Sequence, residues 1–150
     1  MDNDELISTL NDLIETCKDG EEGFRTCSQD VEEARLKTLL ATRSSNCAIA
    51  ARELQGLVRS FGGVPADSSS LSGALHRRWV NIKSAIMGKD DYAILSECER
   101  GEDMAVRSYS KALKKDLPAE VKGIVNRQYM GVMQNHDTVK ALRDELHAMH

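Results

Sequence analysis

Glu102 stands where an apolar residue should. In the stretch ILSECERGEDMAVRSY, residues 94 to 109, Ile94, Leu95, Cys98, Ala105 and Tyr109 fall at helical spacing on one face, and Glu102 occupies the middle of that stripe. Arg43 interrupts a second stripe between Leu40 and Cys47, and Gln128 a third between Val125 and Val132. A lone buried carboxylate or guanidinium costs several kcal/mol, so such residues must be answered by a partner. Two chemistries would do this. One is a buried polar group in which Arg43 pairs with Glu102 and Gln128 adds hydrogen bonds. The other is a mononuclear site in which Glu21, Glu99, Glu102 and His136 offer carboxylate and imidazole ligands to a single iron, manganese or zinc ion. Arg43 would repel that ion, so the pair is the preferred expectation and no cofactor is expected.

Other chemistries find less support. The chain has no G-x-x-x-x-G-K-[ST] and no G-x-G-x-x-G, so nothing cradles a phosphate. Cys17, Cys27, Cys47 and Cys98 form no C-x-x-C pair and each falls on an apolar face, which reads as small buried hydrophobes in a reducing compartment. No Ser, His and Asp can be argued into one cluster, and no catalytic residue is expected. His136 with Lys140 one turn later faintly resembles a phosphotransfer helix, but Ala141 stands where such domains carry glycine. The net charge of −4 over 150 residues leaves no basic footprint for nucleic acid.

These residues need elements to position them. The composition, 41% apolar with only 4% aromatic and two prolines, is that of an all-α chain. Leu6, Leu10, Leu13, Cys17, Gly20, Phe24 and Cys27 alternate steps of four and three, predicting a helix over about residues 4 to 29 with Gly20 on its seam. Leu36, Leu40, Arg43, Cys47, Ala50, Leu54, Leu57 and Phe61 predict a second over about 31 to 61, ended by Gly62, Gly63 and Pro65. A shorter helix over about 71 to 87 carries Trp79 and the basic cluster His76, Arg77, Arg78. Two further long helices are expected over about 91 to 115 and from Pro118 to about 147, the latter with Val121, Val125, Gln128, Val132, Asn135 or His136, Val139 and Leu142 inward.

Helices of about 26 residues rise about 39 Å, and the shorter one about 25 Å, enough with its flanking loops to return the chain from one end of a bundle to the other. The expected fold is therefore a ferritin-like four-helix bundle, two antiparallel hairpins joined by a long crossover containing the fifth helix, over a single domain of residues 1–150. Simple up-down-up-down order is the alternative. The acidic start MDNDELIS is unlike a secretory signal and no run reaches the roughly 20 apolar residues of a membrane span, so a cytoplasmic protein without a membrane partner is expected.

DGEEGF in the first helix, LHRRW at 75–79, ERGED at 99–103 followed by Tyr109, and QNHDTV at 134–139 resemble, in that order, an uncharacterised bacterial family catalogued as a domain of unknown function and grouped with ferritin-like bundles. The resemblance implies that fold and no activity. Ferritin-like di-metal proteins place a Glu on each of two helices and Glu-x-x-His on the other two. This chain has no E-x-x-H, carries Arg43 on one seam and Gln128 on another, and so is expected to lack the intact di-iron centre. The functional expectation is a non-catalytic scaffold or accessory protein, linked to stress through its superfamily, acting by association with a protein partner or with itself. Its contact surface would be the crossover residues His76, Arg77, Arg78 and Trp79.

Overall fold

Asp2 starts the first helix. In the computed structural model, which describes residues 1–67 and 90–148, its carboxylate accepts from the Glu5 amide at 2.8 Å and opens α1 (Asn3–Asp30). Asp90 opens α3 (Asp91–Leu113) in the same way, accepting from the Ala93 amide at 2.9 Å. The helix between them, α2 (Ala34–Ser60), has no such residue of its own. Asp91 supplies the cap from α3, its two carboxylate oxygens accepting from the Glu32 and Glu33 amides at 2.8 and 3.1 Å. The last helix is α4 (Ala119–Ala148), entered through Pro118, whose carbonyl accepts from the Lys122 amide. The described residues contain four helices and no strand. The segment predicted as a further helix near 71–87 lies outside them, as do His76, Arg77, Arg78 and Trp79.

α2 ends as its glycines predict. Gly62 takes φ +81°, and the Gly63 amide donates to the Val58 carbonyl at 3.0 Å, closing the last turn with a left-handed residue. The chain then lies against the start of α1. Asn3 Nδ2 donates to the Phe61 carbonyl, and Asn11 both donates to the Val64 carbonyl at 3.2 Å and accepts from the Ala66 amide at 2.8 Å. A Cβ at Gly63 would stand 2.8 Å from the Ile7 side chain, so a larger residue there would make Ile7 shift. The end of α2 therefore sits beside the beginning of α1, while Asp91 ties the beginning of α3 to the α1–α2 turn at the far end. Lys115, just past α3, returns to the near end and donates to Thr9 Oγ1 at 2.9 Å.

α1 packs against both α2 and α3, α3 packs against α4, and α2 touches α4 only sparsely. α2 and α3 lie across the diagonal, with no close backbone approach. The tightest helix pair is α1 with α2. There a Cβ on Gly20 would meet Cys47 Sγ at 3.0 Å, so the seam glycine admits the neighbouring helix. The core divides into two apolar clusters along the bundle. Leu10, Ile14, Leu54, Tyr109, Val121 and Val125 belong to one, and Phe24, Leu36, Leu40, Ile94, Leu95 and Val139 to the other. The change from one to the other falls between Cys17 and Phe24 on α1, Cys98 and Ala105 on α3, and Val132 and Val139 on α4. Glu102 and Asn135 occupy that interval. No helix among the described residues is long and apolar enough to cross a membrane.

Candidate functional site

Arg43 reaches from α2 across the diagonal to α3, where its Nε donates to Glu102 Oε1 at 2.9 Å. Both side chains are in the interior, Glu102 at 1% and Arg43 at 9% exposure. The guanidinium also stands over the Phe24 ring, 5.6 Å from its centroid, where the negative face of the aromatic ring favours a cation. Asn135 on α4 adds a second donor to the same Oε1 at 3.2 Å. Glu102 Oε2 is buried and has no hydrogen-bond partner among the described residues. Burial pushes the Glu102 carboxyl above the ordinary range, against the charge and hydrogen bond of Arg43 and the hydrogen bond of Asn135.

Gln128 does not join this pair. It accepts from the Tyr109 hydroxyl at 2.8 Å and donates to Glu53 Oε1 at 2.7 Å and to the Ala50 carbonyl at 3.4 Å. Tyr109 in turn lies 3.1 Å from Cys17 Sγ, so α1, α3, α4 and α2 are linked in one chain of polar contacts beside the ion pair. Sequence reasoning placed Gln128 correctly on its stripe but could not choose its partners, because Tyr109 also reads as apolar core.

Of the four residues considered for a metal, two come together. His136 Nε2 lies 4.0 Å from Glu99 Oε1, while Glu102 turns to Arg43 and Glu21 pairs with Lys18 at 3.6 Å. The residue that completes the group is Asp103, whose Oδ1 is 2.7 Å from His136 Nε2. Glu99, Asp103 and His136 place one ligand atom each within 4.8 Å of the others, at partly buried positions. The i, i+4 spacing of Glu99 and Asp103 on α3 was the available signal for this pair. Arg143 donates to the other oxygen of Glu99.

His136 has a carboxylate at each ring nitrogen, Asp103 at Nε2 and Asp137 at Nδ1, at 2.7 and 3.3 Å. Only the imidazolium can donate to both. Partial burial lowers its pKa, but the hydrogen bonds to Asp137 and Asp103 and the charges of Asp103 and Glu99 outweigh this and raise it above the ordinary histidine value. A raised pKa in the folded state means that the stabilisation is fully present below the unfolded value of about 6.5 and is lost as the pH rises through the folded value. In chelator-treated protein the His136 ring is therefore expected to titrate above about 6.5, and Asp103→Asn to move its midpoint down. A midpoint at or below 6.5 in a proton NMR titration would contradict the contact with Asp103.

Ahead of these groups the sparse contact between α2 and α4 leaves a cleft of about 390 Å³. Arg43, Glu102, Tyr109 and Gln128 line its interior, with Phe24, Ala105 and Val132 as apolar wall and Ile49 at 56% exposure near the surface. The cleft thus joins an apolar wall to a few convergent polar groups.

Against known families, residues 5–115 match the model of the domain of unknown function DUF2383. The chain belongs to that family. The matched region contains α1 from residue 5 onward, α2 and α3, and with them Arg43, Glu102, Tyr109 and the Glu99–Asp103 pair, while Gln128, Asn135 and His136 lie on α4 beyond it. No curated protein matches the chain.

Proposed function

We propose that this DUF2383 protein is a ferritin-like bundle that acts by association, as a scaffold or accessory protein, without catalysing a reaction. The observation that carries the reading is the contact of Arg43 with Glu102. A permanent cation sits at the level where a di-metal centre needs an anion, and it engages the carboxylate that would have been a ligand. The donor set does not fit two metal ions at the level of Glu102, since α2 contributes Arg43 there and α4 contributes Asn135. The placement of α3's start beside the α1–α2 turn supports the ferritin-like order, with a crossover between the hairpins. The proposed contact surface is His76, Arg77, Arg78 and Trp79, which lie outside the described residues.

Metal analysis of protein purified without chelator after growth with added iron tests the reading. Fewer than two equivalents per chain are expected. Two equivalents of iron, manganese or zinc, lost on Glu102→Ala, would overturn it. Light scattering of the wild type and of Trp79→Ala, Arg78→Glu tests the association surface, which is expected to lose an oligomer or a bound partner.

A second reading is a single divalent ion held by Glu99, Asp103 and His136, favoured by the convergence of their ligand atoms within 4.8 Å. The ion would have to displace the proton of His136 and the Arg143 guanidinium from Glu99. One equivalent of zinc or manganese bound by the wild type and released by His136→Ala would select this reading.

A further inference from the structure

We infer that Arg143 is a built-in competitor for the Glu99–Asp103–His136 site, a resident cation that a divalent ion must push back onto Asp144 before it can hold Glu99. The inference rests on the single-ion reading above and says what regulates that site. Its ground is the way one guanidinium is shared between two carboxylates. Arg143 Nη1 donates to Glu99 Oε2, while Nε and Nη2 both donate to Asp144 Oδ1, at 3.3 and 2.9 Å. Glu99 is thus held by one nitrogen and Asp144 by two. The first contact can break while the second keeps the side chain in place.

Glu99 is the carboxylate that both cations need. Its Oε1 lies 4.0 Å from His136 Nε2, and its Oε2 accepts from Arg143. An ion among Glu99, Asp103 and His136 would therefore share one carboxylate with the guanidinium, two positive charges meeting on a side chain only 13% exposed, where solvent screens poorly. A guanidinium keeps its charge at every pH that a folded protein withstands, so it can yield only by moving. Asp144, at 58% exposure and next in sequence, gives it a place to go. Two carboxylates and one imidazole are ligands for manganese or zinc, and both charges of such an ion are matched only when Glu99 is free of Arg143. The sign of the effect separates a competitor from a donor that orients its ligand, because removal of an orienting partner weakens metal binding, by about 10–100-fold.

The test follows Mn²⁺ binding to the chelator-treated full chain by electron paramagnetic resonance of the free ion, at one pH, in the wild type, Arg143→Met and Arg143→Met with Asp144→Asn. Mn²⁺ suits carboxylate and imidazole ligands and leaves the buried thiols aside. Arg143→Met is expected to bind the ion at least about tenfold more tightly than the wild type, and to lose it when His136→Ala is added. The double variant removes one charge of each sign, so it should keep that gain if Glu99 is what Arg143 blocks. Unchanged or weaker binding by Arg143→Met would overturn the competitor role and leave the single-ion reading standing. A gain that vanishes in the double variant would show that net charge alone sets the affinity, and would overturn the role too. No binding by the wild type or Arg143→Met up to about 1 mM ion would sink the single-ion reading and the inference with it.

Discussion

Arg43→Met and Glu102→Leu are each expected to lower stability by about 3–5 kcal/mol, while the double variant should lie close to the wild type. Each single change leaves a charge in the interior without its counterion, and burial there is nearly complete, with Glu102 at 1% and Arg43 at 9% exposure. In Arg43→Met, Glu102 keeps only the Asn135 amide as a donor. In Glu102→Leu, Arg43 keeps only the Phe24 ring. The apolar pair in the double variant removes both penalties and would extend the two flanking clusters into one core. Urea melts of the four proteins give the coupling through a double-mutant cycle. Losses that simply add would show that the two residues are energetically independent despite their 2.9 Å contact.

The second large effect concerns the thiols. All four cysteines are buried and unpaired. Burial pushes the Cys17 thiol up to about 11, opposed by its hydrogen bond with Tyr109 and by the charge of Arg43. Burial likewise raises Cys47, and raises Cys98 together with its contact to Cys27. Because the thiolate is the nucleophile, a rise of about two pKa units leaves Cys17 with about 100-fold less reactive form at neutral pH than an ordinary thiol, before access is considered. Native protein is therefore expected to react with a disulfide reagent at least about 100-fold more slowly than the urea-unfolded chain. Cys17 and Cys47, which line the cleft, should react before Cys27 and Cys98, which are fully buried. Rapid native labelling, read by mass spectrometry of the modified peptides, would show that the core around Cys17 opens far more readily than its packing implies.

The ion pair has a structural consequence apart from its energy. α2 and α3 lie across the diagonal without close backbone approach, and Arg43 spans the distance between them. One buried polar pair between two apolar clusters penalises any sliding of α2 along α3, because each step would set Glu102 or Arg43 against aliphatic side chains. A pair of this kind sets register better than it adds stability.

Much of this molecule is decided by local rules that its sequence displays. The apolar period marks the four long helices, Asp2 and Asp90 start two of them through bonds to amides three residues on, and Gly62 ends another with a positive φ. The same period puts Arg43, Glu102 and Gln128 on inward stripes, since spacing along a helix determines which face a residue occupies. Partners across helices follow from rotation and axial offset, which no local pattern records. Asn135 and His136 are adjacent in sequence and about 100° apart around α4, and that rotation alone sends one to Glu102 and the other to Asp103. Gln128 met Tyr109 and Glu53, and Asp91 capped α2 across the bundle, for the same reason. The cleft is the most tertiary feature of all. It exists because α1 holds α2 tightly through Gly20 while α4 packs on α3, so that α2 and α4 are left apart.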